Sequence, residues 1–362
     1  MLNKNRRLAA IVGLTAAAGL TLTACSEGGG ENSQVEGLAD VTGELQGEGA
    51  TSQQRAMDHF AALFEMSNPG STLSYNATGS GAGQTRFLAG EVAFAGSDSA
   101  LDEEQAAQAA ERCAGNEAWH LPMVIGPVAV AYNLDGVDIT LSPEVIAQIF
   151  NGDITNWNDP AIAELNEGEL PDQNITVVYR SEESGTSDNF MKFLSAAAPE
   201  AWPHEASKSF PSATGSGANG SAGVVDEVSQ IPGAITYVET GFAKDKDLGV
   251  SKIDFGHGAV ELNADTVGKA MDQVEYSGEG NNMVVDADAL FSMDEEGAYP
   301  LVLTTYEIFC SSGYDDQTRD LLKNFLTVSL EEGQNEELEA LGYIPVQGDF
   351  KQKLTDAVEA IS

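Results

Sequence analysis

The chain of 362 residues is short of positive charge. Lys and Arg total 17 against 57 Asp and Glu, a formal charge of −40. That balance excludes a nucleic-acid partner held by bulk electrostatics. Histidine is scarce: His59, His120, His204 and His257 are scattered without metal-ligand spacing. No Gly-x-Ser-x-Gly elbow surrounds any serine. With no placed base and no activated nucleophile in view, an enzyme is disfavoured, and neither metal nor cofactor is expected. Past the first residues no run is long and apolar enough to cross a membrane, although hydrophobic content is 42%, enough for sizeable cores. Cysteine is also rare, with 3 in the whole chain.

What is present begins with a targeting segment over 1–24. Lys4, Arg6 and Arg7 precede an apolar stretch from Leu8 to Leu22, and Leu22-Thr23-Ala24-Cys25 follows. This resembles the bacterial lipobox, cut before a cysteine that is then lipidated; a plain secretory signal with Cys25 incidental is the alternative. Cleavage takes the formal charge from −40 to −43. Cys113 and Cys310 then remain as an even pair in an oxidising exterior, and a disulfide is expected between them, with two buried thiols as the alternative. Residues 25–43 are Gly/Glu/Ser-rich and read as a flexible tether, with an r.m.s. span of roughly 20–25 Å.

Beyond the tether, strand and helix patterns alternate, which argues an α/β fold with largely parallel sheets. The central stretch runs from Ile175 to Ser187. Ile175, Val177 and Tyr179 form a strand pattern; Ser184-Gly185-Thr186-Ser187 then opens a helix whose apolar side carries Phe190, Phe193 and Leu194. A helix start points free N–H groups and partial positive charge at what precedes it, so small anions bind there. Arg180 adds forked donors, and Ser184 and Thr186 add hydroxyls. A similar arrangement, small hydroxyl residues followed by a helix, recurs at Thr51-Ser52, Ser80 and Ser97-Asp98. In open α/β sheets ligands sit beyond the C-terminal strand ends, so convergence of these turns would make one polar, anion-sized site. Gly215 to Gly220 matches Gly-x-Gly-x-x-Gly, but the residues before it make a poor strand, which speaks against a dinucleotide site. Two extended runs, Leu121–Leu134, interrupted by Gly126-Pro127, and Leu301–Cys310, are placed to cross between lobes. Residues 244–298 resist subdivision.

Taken in order, these segments resemble a known family: the phosphate-binding lipoproteins of phosphate ABC importers, periplasmic-type binding proteins of the type II fold. Gly47-Glu48-Gly49-Ala50-Thr51 is similar to the family's opening turn, Tyr75–Gly83 to its Ser/Gly loop, and Ala95-Gly96-Ser97-Asp98 to its Ala-Ser-Asp turn. Ile154–Ile162, with Trp157 inside it, Arg180 with Ser184-Gly185-Thr186-Ser187, and Pro232–Glu239 complete the ordered set. The resemblance implies two lobes, 44–126 plus 303–362 and 127–302, joined by two crossover strands acting as a hinge. It implies phosphate bound by Thr51, Ser52 (through its backbone), Ser80, Arg180, Ser184, Gly185 and Thr186, with Asp98 accepting the phosphate's proton and Glu182 steadying Arg180. Glu182 stands where the family usually has Asp, and Ser52 where it usually has Phe. The implied partners are inorganic phosphate and importer permease subunits, for a monomer anchored through Cys25 on the extracytoplasmic face of the cell membrane. A sulfate or molybdate receptor, an extracytoplasmic phosphatase and a non-transport sensor are the alternatives. For Asp98 the bland alternative is the N-cap of a helix near Leu101.

Overall fold

The computed structural model describes residues 35–211 and 214–362; the signal segment, Cys25 and the tether to residue 34 lie outside the described residues. Eight strands carry the fold: β1 (Gly43–Gly49), β2 (Ser71–Ala77), β3 (Phe94–Ser97), β4 (Ala118–Tyr132), β5 (Thr176–Arg180), β6 (Ser216–Ala218), β7 (Ala234–Glu239) and β8 (Val302–Cys310). They stand in the order β2-β1-β3-β8-β4-β7-β5-β6, and the two-residue strand Gly249–Val250 adds to β4. The helices that matter for the site follow strands: α1 (Gln54–Ser67), α2 (Ser80–Leu88), α3 (Glu103–Arg112), α4 (Gly185–Ala197) and α5 (Gly220–Gln230). The α/β alternation read from the sequence is present, but the sheet is mixed. The pairs β1–β2, β1–β3, β5–β7 and β5–β6 are parallel, whereas β3–β8, β8–β4 and β4–β7 are antiparallel.

This pairing fixes where strand ends point. β4 pairs with β8 over Ala118–Pro127 and with β7 over Val128–Tyr132, so it runs from one half of the sheet into the other. β1–β3, antiparallel to β8, run along β4 and aim their C-terminal ends at the second half. β5 and β7, antiparallel to the far part of β4, aim theirs back at the first. The two sets of strand ends therefore face each other across the junction, where ligands of α/β sheets collect. Gly126-Pro127 does not break β4 as the interrupted pattern suggested. Pro127 falls where the strand exchanges one partner for the other, a position at which a missing N–H costs little.

Both long strands are buried along nearly their whole length, consistent with their apolar runs. α1 lays Met57, Phe60 and Phe64 into the core, where Phe64 packs edge-on against Phe325 and Phe94 stacks on Phe325. Trp157 is fully buried and donates its indole N–H to the Gly233 carbonyl at 3.0 Å, a core anchor. Residues 35–43, read from the sequence as part of the tether, already pack on the body. Val35, Leu38 and Val41 pack on the core, and Ala39 exchanges two hydrogen bonds of 2.9 Å with the Asn324 side chain, so the last part of the expected tether is docked. The expected Cys113–Cys310 disulfide is present, joining the end of α3 to the end of β8 across a sequence separation of 197. Among the described residues no helix is long and apolar enough to cross a membrane.

Candidate functional site

The strand ends bring the hydroxyl-bearing turns together. Thr51 and Ser52 sit between β1 and α1, Ser80 opens α2, and Asp98 follows β3. From the opposite side come Arg180 at the end of β5 and Ser184, Gly185 and Thr186 at the start of α4. All of these side chains are at most 6% exposed. Local geometry explains the close approach. Gly49 has φ of +149°, beyond the reach of most L-residues, and lets the β1 turn lie against the Gly96 carbonyl, which accepts from Ala50 N–H at 2.8 Å. At Gly185 an added Cβ would stand 2.5 Å from Ser80 Oγ and 2.6 Å from Asp98 Cβ, so the start of α4 touches the turns of the other half.

Arg180 is the only guanidinium among these residues. It donates through Nη2 to Thr51 Oγ1 at 2.6 Å and through Nη1 to Thr186 Oγ1 at 3.1 Å and Ser221 Oγ at 3.3 Å. Its Nε donates to Glu182 Oε1 at 2.7 Å, and Nη2 reaches the same oxygen. Glu182 Oε1 also accepts from the Gly220 N–H at 3.1 Å, which fixes the carboxylate and, through it, the guanidinium plane. Ser184 caps α4, accepting from Ser187 N–H at 3.2 Å, and keeps its own O–H available.

Asp98 lies at the centre. Its Oδ1 accepts from Ser52 Oγ at 2.6 Å and Thr305 Oγ1 at 2.8 Å; its Oδ2 is 3.5 Å from both Ser80 Oγ and Thr186 Oγ1. It does not cap the following helix, because Asp102 does so in a capping box with Gln105. Burial pushes its carboxyl up to about 6, helped by the charge of Glu239 and opposed by Ser52, Thr305 and Arg180. Behind it, Glu307 on β8 is fully buried and its carboxyl is raised well above the usual range, again by burial. The site therefore carries a surplus of carboxyl groups over guanidinium. What offsets it is the convergence of helix starts: those of α1, α2, α4 and α5 all converge here, and the first turns of α1, α2 and α5 hold no acid.

Thr51, Ser52, Ser80, Asp98, Arg180, Glu182, Gly185 and Thr186 thus lie together, Ser52 through its hydroxyl, and Ser184 stands at the start of α4 beside them. Three neighbours escaped the sequence reading. Ser221, at the start of α5, has its Oγ 3.2 Å from Thr51 Oγ1; the signal was the Gly-rich stretch ending at Gly220, which leads into a helix. Glu239, at the end of β7, accepts from Thr186 Oγ1 at 2.8 Å, and its other oxygen has no hydrogen-bond partner among the described residues. It closes a matched strand segment but carried no assigned role. Thr305 lies inside an apolar run and gave no signal. The halves also meet beside the site, where Ser99 Oγ donates to Asp188 Oδ2 at 2.6 Å and Asn189 Nδ2 to the Asp98 carbonyl at 2.6 Å.

The fold is that of a solute-binding protein, and the family model described as "PBP superfamily domain" matches residues 34–332. Two Mycobacterium tuberculosis proteins align over essentially whole chains. "Phosphate-binding protein PstS 3" is 42% identical, over 99% of this chain and 100% of its own length; "Phosphate-binding protein PstS 2" is 43% identical, with the same coverage. A solved periplasmic phosphate-binding protein, described as bound with phosphate, shares the fold at TM-score 0.71 with 23% identity, covering 87% of this chain and 93% of that one. The chain belongs to the phosphate-binding protein family within the PBP superfamily.

Proposed function

We propose that this chain is an extracytoplasmic receptor that binds inorganic phosphate between two lobes and delivers it to an ABC importer. The observation that carries the reading is the meeting of Arg180, the hydroxyls of Thr51, Ser80, Ser184 and Thr186, and the acceptor Asp98 within one buried cluster of helix starts. Thr51, Ser80, Ser184 and Thr186 donate hydroxyl hydrogen bonds to phosphate oxygens, and the N–H groups of Ser52, Gly185 and Thr186 add to them. Arg180, steadied by Glu182, pairs with the anion. Asp98 accepts the proton that phosphate carries at neutral pH and sulfate lacks. Binding exchanges the contacts these groups make with one another for contacts to the anion. No nucleophile, metal or cofactor takes part, and the role is not enzymatic.

The lobes are 44–126 plus 303–362, with residues 35–43 docked on it, and 127–302, and β4 and β8 form the hinge on which they close. A permease reads the closed form, so anion affinity and docking are coupled. The protein works as a monomer, held to the cell membrane through a lipid on Cys25. Calorimetric titration of the mature protein at fixed ionic strength tests the reading. Phosphate should bind, sulfate and molybdate should bind at least about 10⁴-fold more weakly, and Arg180→Ala should weaken phosphate by about 10²-fold or more, since charge-assisted hydrogen bonds contribute about 1.5–3 kcal/mol each. Tighter binding of sulfate than of phosphate ends the proposal.

A further inference from the structure

The two oxygens of Asp98 are not equivalent. Oδ1 holds two short hydroxyl contacts, from Ser52 at 2.6 Å and Thr305 at 2.8 Å, and both donors are 1% exposed. Among the described residues Oδ2 has only the long approaches of Ser80 and Thr186 at 3.5 Å, and Thr186 also accepts from Arg180. The backbone of Asp98 is held as well, its N–H donating to Ser80 Oγ at 3.2 Å and its carbonyl accepting from Asn189. The carboxylate thus cannot turn over without breaking both hydroxyl contacts on Oδ1.

We propose that Ser52 and Thr305 are positioning residues: they occupy Oδ1, leave Oδ2 as the single acceptor turned toward the anion, and hold the carboxylate in its charged form, so that preference for a protonated oxyanion depends on them. This rests on the phosphate-receptor reading and deepens it. Neither residue needs to touch the ligand through its hydroxyl. A hydroxyl donating to a carboxylate favours the ionised form, and the other groups around Asp98 pull in both directions. Glu239 on β7 opposes ionisation and Arg180 on β5 favours it; Glu307 on β8 is a further acid, and the neutral Tyr75, Tyr306 and Tyr343 lie around them. With one cation against these acids, the two hydroxyls decide the balance. Without them Asp98 protonates more readily, and a protonated Asp98 offers sulfate the hydrogen bond that the charged form denies it.

The test uses the mature protein with Ser52→Ala, Thr305→Val, the double variant and Thr305→Ser. The Asp98 carboxyl is followed by carbon NMR without ligand, assigned against Asp98→Asn, and phosphate and sulfate affinities are measured from pH 5.5 to 8.5. Each loss of a hydroxyl should move the Asp98 midpoint upward. In the double variant at pH 7 the phosphate-over-sulfate ratio should fall at least about tenfold, the scale of one hydrogen bond to a charged group. Thr305→Ser keeps the hydroxyl and should restore the wild-type midpoint and ratio, which packing at the lost methyl would not do. If the double variant does not fold, the single variants decide by the same two readouts. A midpoint that stays or falls when either hydroxyl is removed overturns the inference, as does an unchanged ratio. Absence of phosphate binding by the unaltered protein would instead sink the receptor reading, and the NMR midpoint would still judge the hydroxyl clamp.

Discussion

Asp98→Asn should make the ligand-free protein more stable while damaging its selectivity. The folded protein holds the Asp98 carboxyl at about 6 against an ordinary 3.8, first because it is buried and next because Glu239 lies near. A raised carboxyl means that the fold disfavours the charged form. The cost is fully present above about pH 6 and fades as pH falls from there toward 3.8, where the unfolded chain also protonates. At about 1.36 kcal/mol per unit, the cost at neutral pH is on the order of 3 kcal/mol. Asn has the same shape, can still accept from Ser52 and Thr305 through its carbonyl, and carries no charge to desolvate. For a chain of this size the gain corresponds to a Tm about 4 °C higher at pH 7.5. Calorimetry in phosphate-free buffer at pH 7.5 and pH 4.5 measures it: the gap should be wide at the first and mostly gone at the second. Saturating phosphate should narrow the gap at pH 7.5, because the variant lacks the acceptor for the ligand's proton and ligand stabilises by mass action. A variant destabilised equally at both pH values would refute the reasoning.

Two further outcomes follow from close contacts. Gly185→Ala places a methyl against Ser80 Oγ and Asp98 Cβ, so it should weaken phosphate binding by on the order of tenfold or more, read by calorimetry, with little loss of helical circular dichroism. Reduction of the Cys113–Cys310 disulfide, or replacement of both cysteines by Ser, should lower stability by about 2–5 kcal/mol in denaturant titration, since the bridge closes a long loop, while phosphate affinity changes less than about threefold because neither cysteine touches the site.

Much of the fold's local plan was written in the residue pattern. Ser184 before Gly185-Thr186-Ser187 announced a helix start, and the structure caps it with that serine. Asp102, followed by Glu103 and Glu104, is the kind of acid cluster that opens a helix, and it caps Glu103–Arg112. The hydroxyl-then-helix turns marked the anion-binding groups, because N-capping and anion binding ask for the same short polar side chains. The acidic stretch after residue 244 was opaque for the opposite reason. Its elements are short, such as Ala264–Met271 and the three-residue strand Lys252–Asp254, too brief for a period to show.

What the chain by itself determined, then, was the chemistry of each turn: which residues could donate, which could accept, and where helices would begin. Tertiary structure alone decided who meets whom. Antiparallel pairing of β4 with β8 and β7 sets the strand ends face to face, and no local pattern encodes that direction. It also brought in Thr305, Ser221 and Glu239, whose roles arise from contacts between residues as much as 207 positions apart. A hydroxyl inside an apolar strand looks like any other in sequence; its meaning comes from the carboxylate that folding places 2.8 Å away.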